Sequence, residues 1–265
     1  MKLRVEDVGK DFLIPVIDRV SFDVAAGEFV CLLGPNGCGK TTLLRIVGGL
    51  EPATRGRVLV DDAPVIAQQR HDRRIGVVFQ EDRLLPWKTV RENVELVLRP
   101  LGLRARERTR VADGYLALVG LRGFEHYYPA RVSGGMRQRA AIARALAIEP
   151  DVLLMDEPFG ALDAQTREIM QQDLLEIWRQ TGRTIVFVTH SVQEAVFLGD
   201  RIAVMTARPG RVKAIIDVGL AHPRDVTSAE FGRLMRPVYA ALKEEVLKTL
   251  VRHPTPTTAT LEPAT

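Results

Sequence analysis

Only two cysteines occur in 265 residues, Cys31 and Cys38, seven positions apart and with no Cys-x-x-Cys pair or neighbouring histidine. That scarcity excludes a disulfide scaffold and a zinc site of the usual spacing, and it suits a reducing compartment. Long hydrophobic runs are missing too: no stretch approaches the ~18 consecutive apolar residues that cross a bilayer. The first ten residues alternate charge with Leu and Val and build no apolar leader core. The expectation is a cytosolic chain, or one that meets a membrane only through a partner. Neither sign of charge dominates, since 37 Lys and Arg against 33 Asp and Glu leave +4, too small an excess to argue for nucleic acid. What is present is an ordinary globular composition, 46% hydrophobic and 26% charged, which rules out collagen and wholesale disorder. At ~150 residues per domain the length allows one to two domains, burying roughly 70 to 75% of the unfolded surface.

Short apolar runs read as buried strands at Glu28 to Leu33, Arg57 to Val60, Arg74 to Phe79, Asp151 to Met155, Thr184 to Val188 and Ile202 to Met205. Helical patterns lie between several of them, so the class is α/β with a mainly parallel, helix-covered sheet. Strand signals vanish from about residue 86 to 150. Helical patterns at Val90 to Leu98, Arg106 to Val119 and Gly135 to Ile148 predict an inserted helical subdomain there. Asp163 starts, and Gly182 ends, an amphipathic helix with Met170, Leu174 and Ile177 on its core face. The run Arg104, Arg106, Arg108 and Arg110 spreads around a helix and reads as solvated surface. Phe231 to Leu250 is helical in character without an assigned role. The Pro- and Thr-rich stretch 251–265 has almost nothing to bury and is expected to be a disordered tail. Residues 1–250 are then expected to form one domain.

The chemistry begins at Gly34, Pro35, Asn36, Gly37, Cys38, Gly39, Lys40 and Thr41, which match G-x-x-x-x-G-K-[ST]. The match follows an apolar strand and opens a helix at Thr42. Glycines let the backbone fold around phosphate oxygens with amides pointing inward, Lys40 reaches the β- and γ-phosphates, and the Thr41 hydroxyl suits Mg²⁺. Downstream, an apolar strand ends in Asp156 and Glu157. Asp156 is placed for the Mg²⁺ shell, and Glu157, beside the γ-phosphate, is placed to polarise water. A second candidate phosphate site appears about a hundred residues after the first. Ser133 can cap a helix, and Gly134 and Gly135 permit close backbone approach. One chain rarely needs two anion-binding helix starts for one nucleotide, whereas a dimer that sandwiches ATP does.

With these motifs in this order, residues 2 to 217 resemble the ATP-binding subunit of ABC transporters. The phosphate loop matches Walker A at 34–42, Gln80 the Q-loop, 132–139 the signature, 152–157 Walker B, Asp163 the end of the D-loop, and His190 the switch histidine. The resemblance implies a P-loop NTPase fold with an antiparallel β part and an inserted helical subdomain. It further implies that His190 contacts the γ-phosphate, that Gln80 contacts Mg²⁺ and the attacking water, and that Ser133 and Gly135 contact the γ-phosphate held by a second copy. Phe12, upstream of Walker A, is the aromatic expected to stack on adenine. One departure is Met136, where the family commonly carries Gln; a thioether is a poor acceptor and no donor.

The stretch after Gln80, the Ser-Gly-Gly-Met signature and the later Ala207 to Arg211 resemble nitrate, sulfonate and taurine importer ATPases. That likeness implies a homodimer at the cytoplasmic face of the membrane, bound to permease subunits and served indirectly by a periplasmic or extracellular solute-binding protein. Leu84, Leu85 and Trp87, expected to be exposed, would help form the groove for a permease helix. A second reading, an ABC-type ATPase acting on nucleic acid or ribosomes, lacks the coiled-coil insertion, zinc cysteines or second cassette usual there. The transported solute is not legible in this chain.

Overall fold

The computed structural model describes residues 1–67 and 74–251. Its strands are β1 (Leu3–Asp11), β2 (Pro15–Val24), β3 (Phe29–Leu33), β4 (Arg55–Val60), β5 (Ala63–Pro64), β6 (Ile75–Val78), β7 (Val152–Asp156), β8 (Thr184–Thr189), β9 (Arg201–Met205) and β10 (Val212–Asp217). Its α-helices are α1 (Lys40–Val47), α2 (Val90–Leu98), α3 (Ala105–Leu118), α4 (Gly134–Leu146), α5 (Ala164–Thr181), α6 (Val192–Leu198) and α7 (Ala229–Val251). The expected tail, apart from Val251 at the end of α7, lies outside the described residues.

Strands buried on both faces make the centre. Six strands lie in the order β10, β9, β3, β8, β7, β6, parallel except for β10, which runs antiparallel to β9. Because side chains alternate along a strand, this sheet serves two cores at once. Phe29, Cys31 and Leu33 of β3, with Leu153, Met155, Ile185 and Phe187, pack against the helical layer of α2 to α6. Val30 and Leu32, with Val152, Leu154, Val186 and Val188, pack against α1 and a second, antiparallel sheet ordered β2, β1, β4, β5. The run at Arg57 to Val60 is therefore a strand, but of the antiparallel sheet; only its last three residues are buried. Among the described residues, no helix is long and apolar enough to cross a membrane.

The helical stretch stands where the strand signals stop. Thr89 caps α2 with a reciprocal pair of bonds: the Glu92 amide donates to Thr89 Oγ1 at 3.2 Å, and the Thr89 amide donates to Glu92 Oε2 at 2.7 Å. Ser133 caps α4 by accepting from the Met136 amide at 3.3 Å. Asp163 caps α5 by accepting from the Thr166 amide at 3.0 Å, and Gly182, at φ +61°, ends that helix.

Candidate functional site

β3 brings the chain to the phosphate loop from the middle of the parallel sheet, and α1 carries it away. The loop closes because Gly37 and Gly39 adopt φ of +76° and +102°, conformations that strain any side chain. A Cβ on Gly39 would also meet Ile17 Cγ1 at 3.0 Å. Lys40 is buried and donates from Nζ to the carbonyls of Gly34 at 2.9 Å and Pro35 at 3.1 Å. The same ammonium lies 3.7 Å from Glu157 Oε1. Thr41 donates its hydroxyl to Asp156 Oδ1 at 3.1 Å, joining the start of α1 to the end of β7.

Register explains why residues so far apart in sequence meet. β7 and β8 are neighbours with Asp156 opposite Val188, so the residues that follow each strand emerge at one sheet edge, where open α/β sheets bind ligands. The Glu157 amide donates to the Val188 carbonyl at 3.0 Å, which fixes Glu157 at φ +44°. Its Oε2 lies 2.9 Å from His190 Nδ1. Burial raises the pKa of Asp156; the Thr41 hydrogen bond opposes that rise and the Glu157 charge adds to it. A cavity of about 340 Å³ opens here, lined by Asn36, Gly37, Gly39, Lys40, Thr41, Thr42, Gln80 and Glu157, with Val16 and Arg208.

Not every expected residue lines that cavity. Gly34 and Pro35 serve through their carbonyls, and Cys38 turns into the core, where burial pushes its thiol pKa up. Phe12 sits exposed at the tip of the β1–β2 hairpin, 4.9 Å from Lys10 Nζ. His190 is half exposed beyond Glu157. Ser133, Gly134 and Gly135 are not on this cavity either. Gly134 lines a separate one of about 800 Å³, with Thr41, Gln80 and Asp156 on its other side. Gln138 borders that space too, buried and with Nε2 lacking a hydrogen-bond partner among the described residues.

Residues 17–160 match the family model described as ABC transporter. An ABC transporter ATP-binding protein of Methanocaldococcus jannaschii, itself uncharacterized, is 49% identical over 255 residues, covering 94% of each chain. The chain belongs to the ABC transporter family. The taurine import ATP-binding protein of Rhizobium johnstonii is 48% identical over 233 residues, covering 88% of each chain. A solved dimeric structure of the post-hydrolysis state of an ATP-binding cassette, bound to ADP and Pi, is 33% identical with a TM-score of 0.71, covering 83% of this chain and 100% of that one.

In this ABC cassette the segment that follows Gln80 is tied to α4. Asp82 Oδ2 accepts from Arg137 Nε at 2.9 Å, and Arg144 donates to the carbonyls of Asp82 at 2.7 Å and Arg83 at 2.8 Å. The segment between Gln80 and α2 corrects one expectation: Leu84 is 8% exposed and belongs to the main core, because its amide is turned inward by Asp82 Oδ1 at 3.0 Å. Leu85 is half buried, and Trp87 is 70% exposed. Asn93, wholly buried, holds that turn by accepting from the Leu85 amide at 2.7 Å and donating to the carbonyls of Leu85, Lys88 and Thr89 at 3.2, 3.2 and 2.9 Å. The Val90 and Arg91 amides donate to the carbonyls of Tyr127 at 2.8 Å and Glu125 at 3.0 Å. Those bonds bring the exposed rings of Phe124, Tyr127 and Tyr128 to the same end of α2. Sequence reasoning missed these aromatics and Asn93. The only signal was the aromatic cluster shortly before Ser133, which periodicity does not distinguish from a loop.

Proposed function

We propose that this cassette is the ATP-hydrolysing subunit of an ABC importer of the nitrate, sulfonate and taurine type, and that two copies sandwich ATP and drive a separate permease. The observation that carries the reading is the convergence of Lys40, Thr41, Asp156, Glu157 and His190 at one sheet edge beside the phosphate loop. Lys40 exchanges the Gly34 and Pro35 carbonyls for oxygens of the β- and γ-phosphates. Thr41 Oγ1 and Asp156 Oδ1 supply two hard oxygens 3.1 Å apart, a donor set that fits Mg²⁺, with Gln80 nearby as a further oxygen donor. When bound, Mg²⁺ neutralises charge developing on the phosphate oxygens.

Glu157 orients and deprotonates a water whose oxygen attacks the γ-phosphorus; the bond to the β-phosphate oxygen breaks, and ADP and phosphate leave. His190, held to Glu157 at 2.9 Å, adds a hydrogen bond to the γ-phosphate. Ser133, Gly134 and Gly135, on a helix start away from this cavity, cap the nucleotide of the second copy, and Asp163 joins them at that interface. Phe12 stacks on adenine.

The permease docks where Leu85, Trp87 and the three exposed aromatics before the signature gather, which leaves the cassette on the cytoplasmic face of the membrane through its partner. A solute-binding protein outside delivers cargo to the permease. The relative named for taurine import supports the importer type, and residues 1–250 act as one unit. ATP binding moves the permease only by favouring the closed dimer over the open one. The test is Glu157→Gln: turnover falls ~10²- to 10⁴-fold with the affinity for ATP unchanged. Hydrolysis at the wild-type rate removes Glu157 from the reaction.

A further inference from the structure

The stretch Ala207 to Arg211 marks the importer type in sequence but has no part in the motifs above. In the structure it forms a loop between β9 and β10 that is pinned on three sides. Towards β2, the Gly210 amide donates to the Val16 carbonyl at 2.8 Å, the Asp18 amide donates to the Gly210 carbonyl at 3.0 Å, and Arg211 pairs with the Asp18 carboxylate. Towards the phosphate loop, Gly210 packs so tightly on Cys38 that a Cβ there would lie 2.2 Å from the Cys38 carbonyl oxygen. Towards α7, the Ala207 amide donates to Glu245 Oε2 at 3.0 Å. Thr206 closes the loop on itself, donating to the Pro209 carbonyl and accepting from the Arg211 amide, each at 2.9 Å.

The residue this loop presents is Arg208. It lines the 340 Å³ cavity alongside Asn36, Gly37 and Lys40. It also borders a second cavity of about 640 Å³, whose far wall is Glu245, Leu247 and Lys248 of α7. The loop backbone that carries Arg208 is held by its neighbours, and the planar fork of a guanidinium matches phosphate oxygens. Charge-assisted hydrogen bonds from such a group are among the strongest available. Glu245 is nearly fully buried and accepts from Lys213 and Lys248 as well as from the loop. It therefore anchors the loop to α7, a helix for which sequence gives no role.

We propose that Arg208 is a further nucleotide-contacting residue, directed at the phosphate chain of ATP, and that α7 acts as its positioning element through the Glu245 to Ala207 contact. The inference rests on the ATP-binding reading above. The experiment measures equilibrium binding of a non-hydrolysable ATP analogue with Mg²⁺ to the full chain, with melting temperatures recorded alongside. The wild type binds, Arg208→Ala raises Kd about tenfold or more, and Arg208→Lys falls between them. Glu245→Gln raises Kd in the wild-type background and adds nothing further on top of Arg208→Ala, as residues acting through one another do. A Kd for Arg208→Ala equal to the wild type overturns the contact. An equal fold-loss from Glu245→Gln in both backgrounds overturns the role of α7. Failure of the wild type to bind instead overturns the ATPase reading itself, and so is told apart from either.

Discussion

Gly210→Ala tests whether the loop after β9 is built against the phosphate loop. A Cβ at position 210 lies 2.2 Å from the Cys38 carbonyl oxygen and 3.0 Å from Met205 Cε. Carbon and oxygen need roughly 1 Å more, and both partners of the close contact are backbone, so the chain itself must move. A shift of that size stretches the 2.8 Å bond to Val16 and the 3.0 Å bond from Asp18 beyond hydrogen-bonding range. Losing two such bonds, with polar groups left buried, costs about 2 to 4 kcal/mol. At ~2 to 4 °C per kcal/mol for a chain of this size, the melting temperature of the nucleotide-free protein falls by roughly 5 to 15 °C. Nucleotide affinity falls with it, since Cys38 and Arg208 are displaced together. Gly232→Ala is the internal control: Gly232 is exposed on α7, nothing among the described residues lies within 4 Å of its Cβ, and alanine is favoured there by ~1 kcal/mol. Calorimetric melting of both variants decides the matter. A Gly210→Ala protein that melts within a degree of the wild type refutes the reasoning.

Glu245→Gln carries a pH signature. Burial works to raise the Glu245 pKa, but hydrogen bonds from Lys248, the Ala207 amide and Lys213 outweigh it and lower the value from 4.5 to about 2. A depressed carboxylate stabilises the fold fully above its unfolded pKa and loses that contribution as pH falls through the folded one. The shift is worth ~3 kcal/mol undiscounted and about 2 once the exposure of Lys248 is allowed for. The urea midpoints of wild type and variant should therefore differ at pH 7, draw together as pH falls below about 4.5 and meet near pH 2; a gap independent of pH contradicts the assignment. Trp87→Ala should weaken co-purification with the permease while sparing nucleotide binding. Asn93→Ala should do the same at a stability cost of ~2 to 4 kcal/mol, because it leaves the Leu85 amide and the Lys88 carbonyl unpartnered. Undiminished association in both variants places the docking surface elsewhere.

The parallel core was legible because strands buried on both faces read as continuous apolar runs, as Phe29 to Leu33 and Val152 to Met155 do. β1 and β2 escaped because charged residues break their pattern, and register shifts disturb the alternation a strand should show. Leu84 was misplaced for a local reason: an Asp82 side-chain bond turns the chain inward within two residues, which composition does not reveal. The phosphate loop, Asp156 and Glu157 were legible because their chemistry demands fixed spacing. Arg208 was not, since its place beside Gly37 depends on β9 lying next to β3 in the sheet, a long-range pairing.

The central claim, that one copy's phosphate loop and the other's Ser133 helix start close on the same nucleotide, is tested most directly by the molecular mass of Glu157→Gln in solution with saturating Mg-ATP. The account predicts a monomer without nucleotide and a dimer holding two ATP molecules with it, reverting to monomer when Ser133 is also replaced by a bulky residue. A protein that binds ATP fully and stays monomeric contradicts the account.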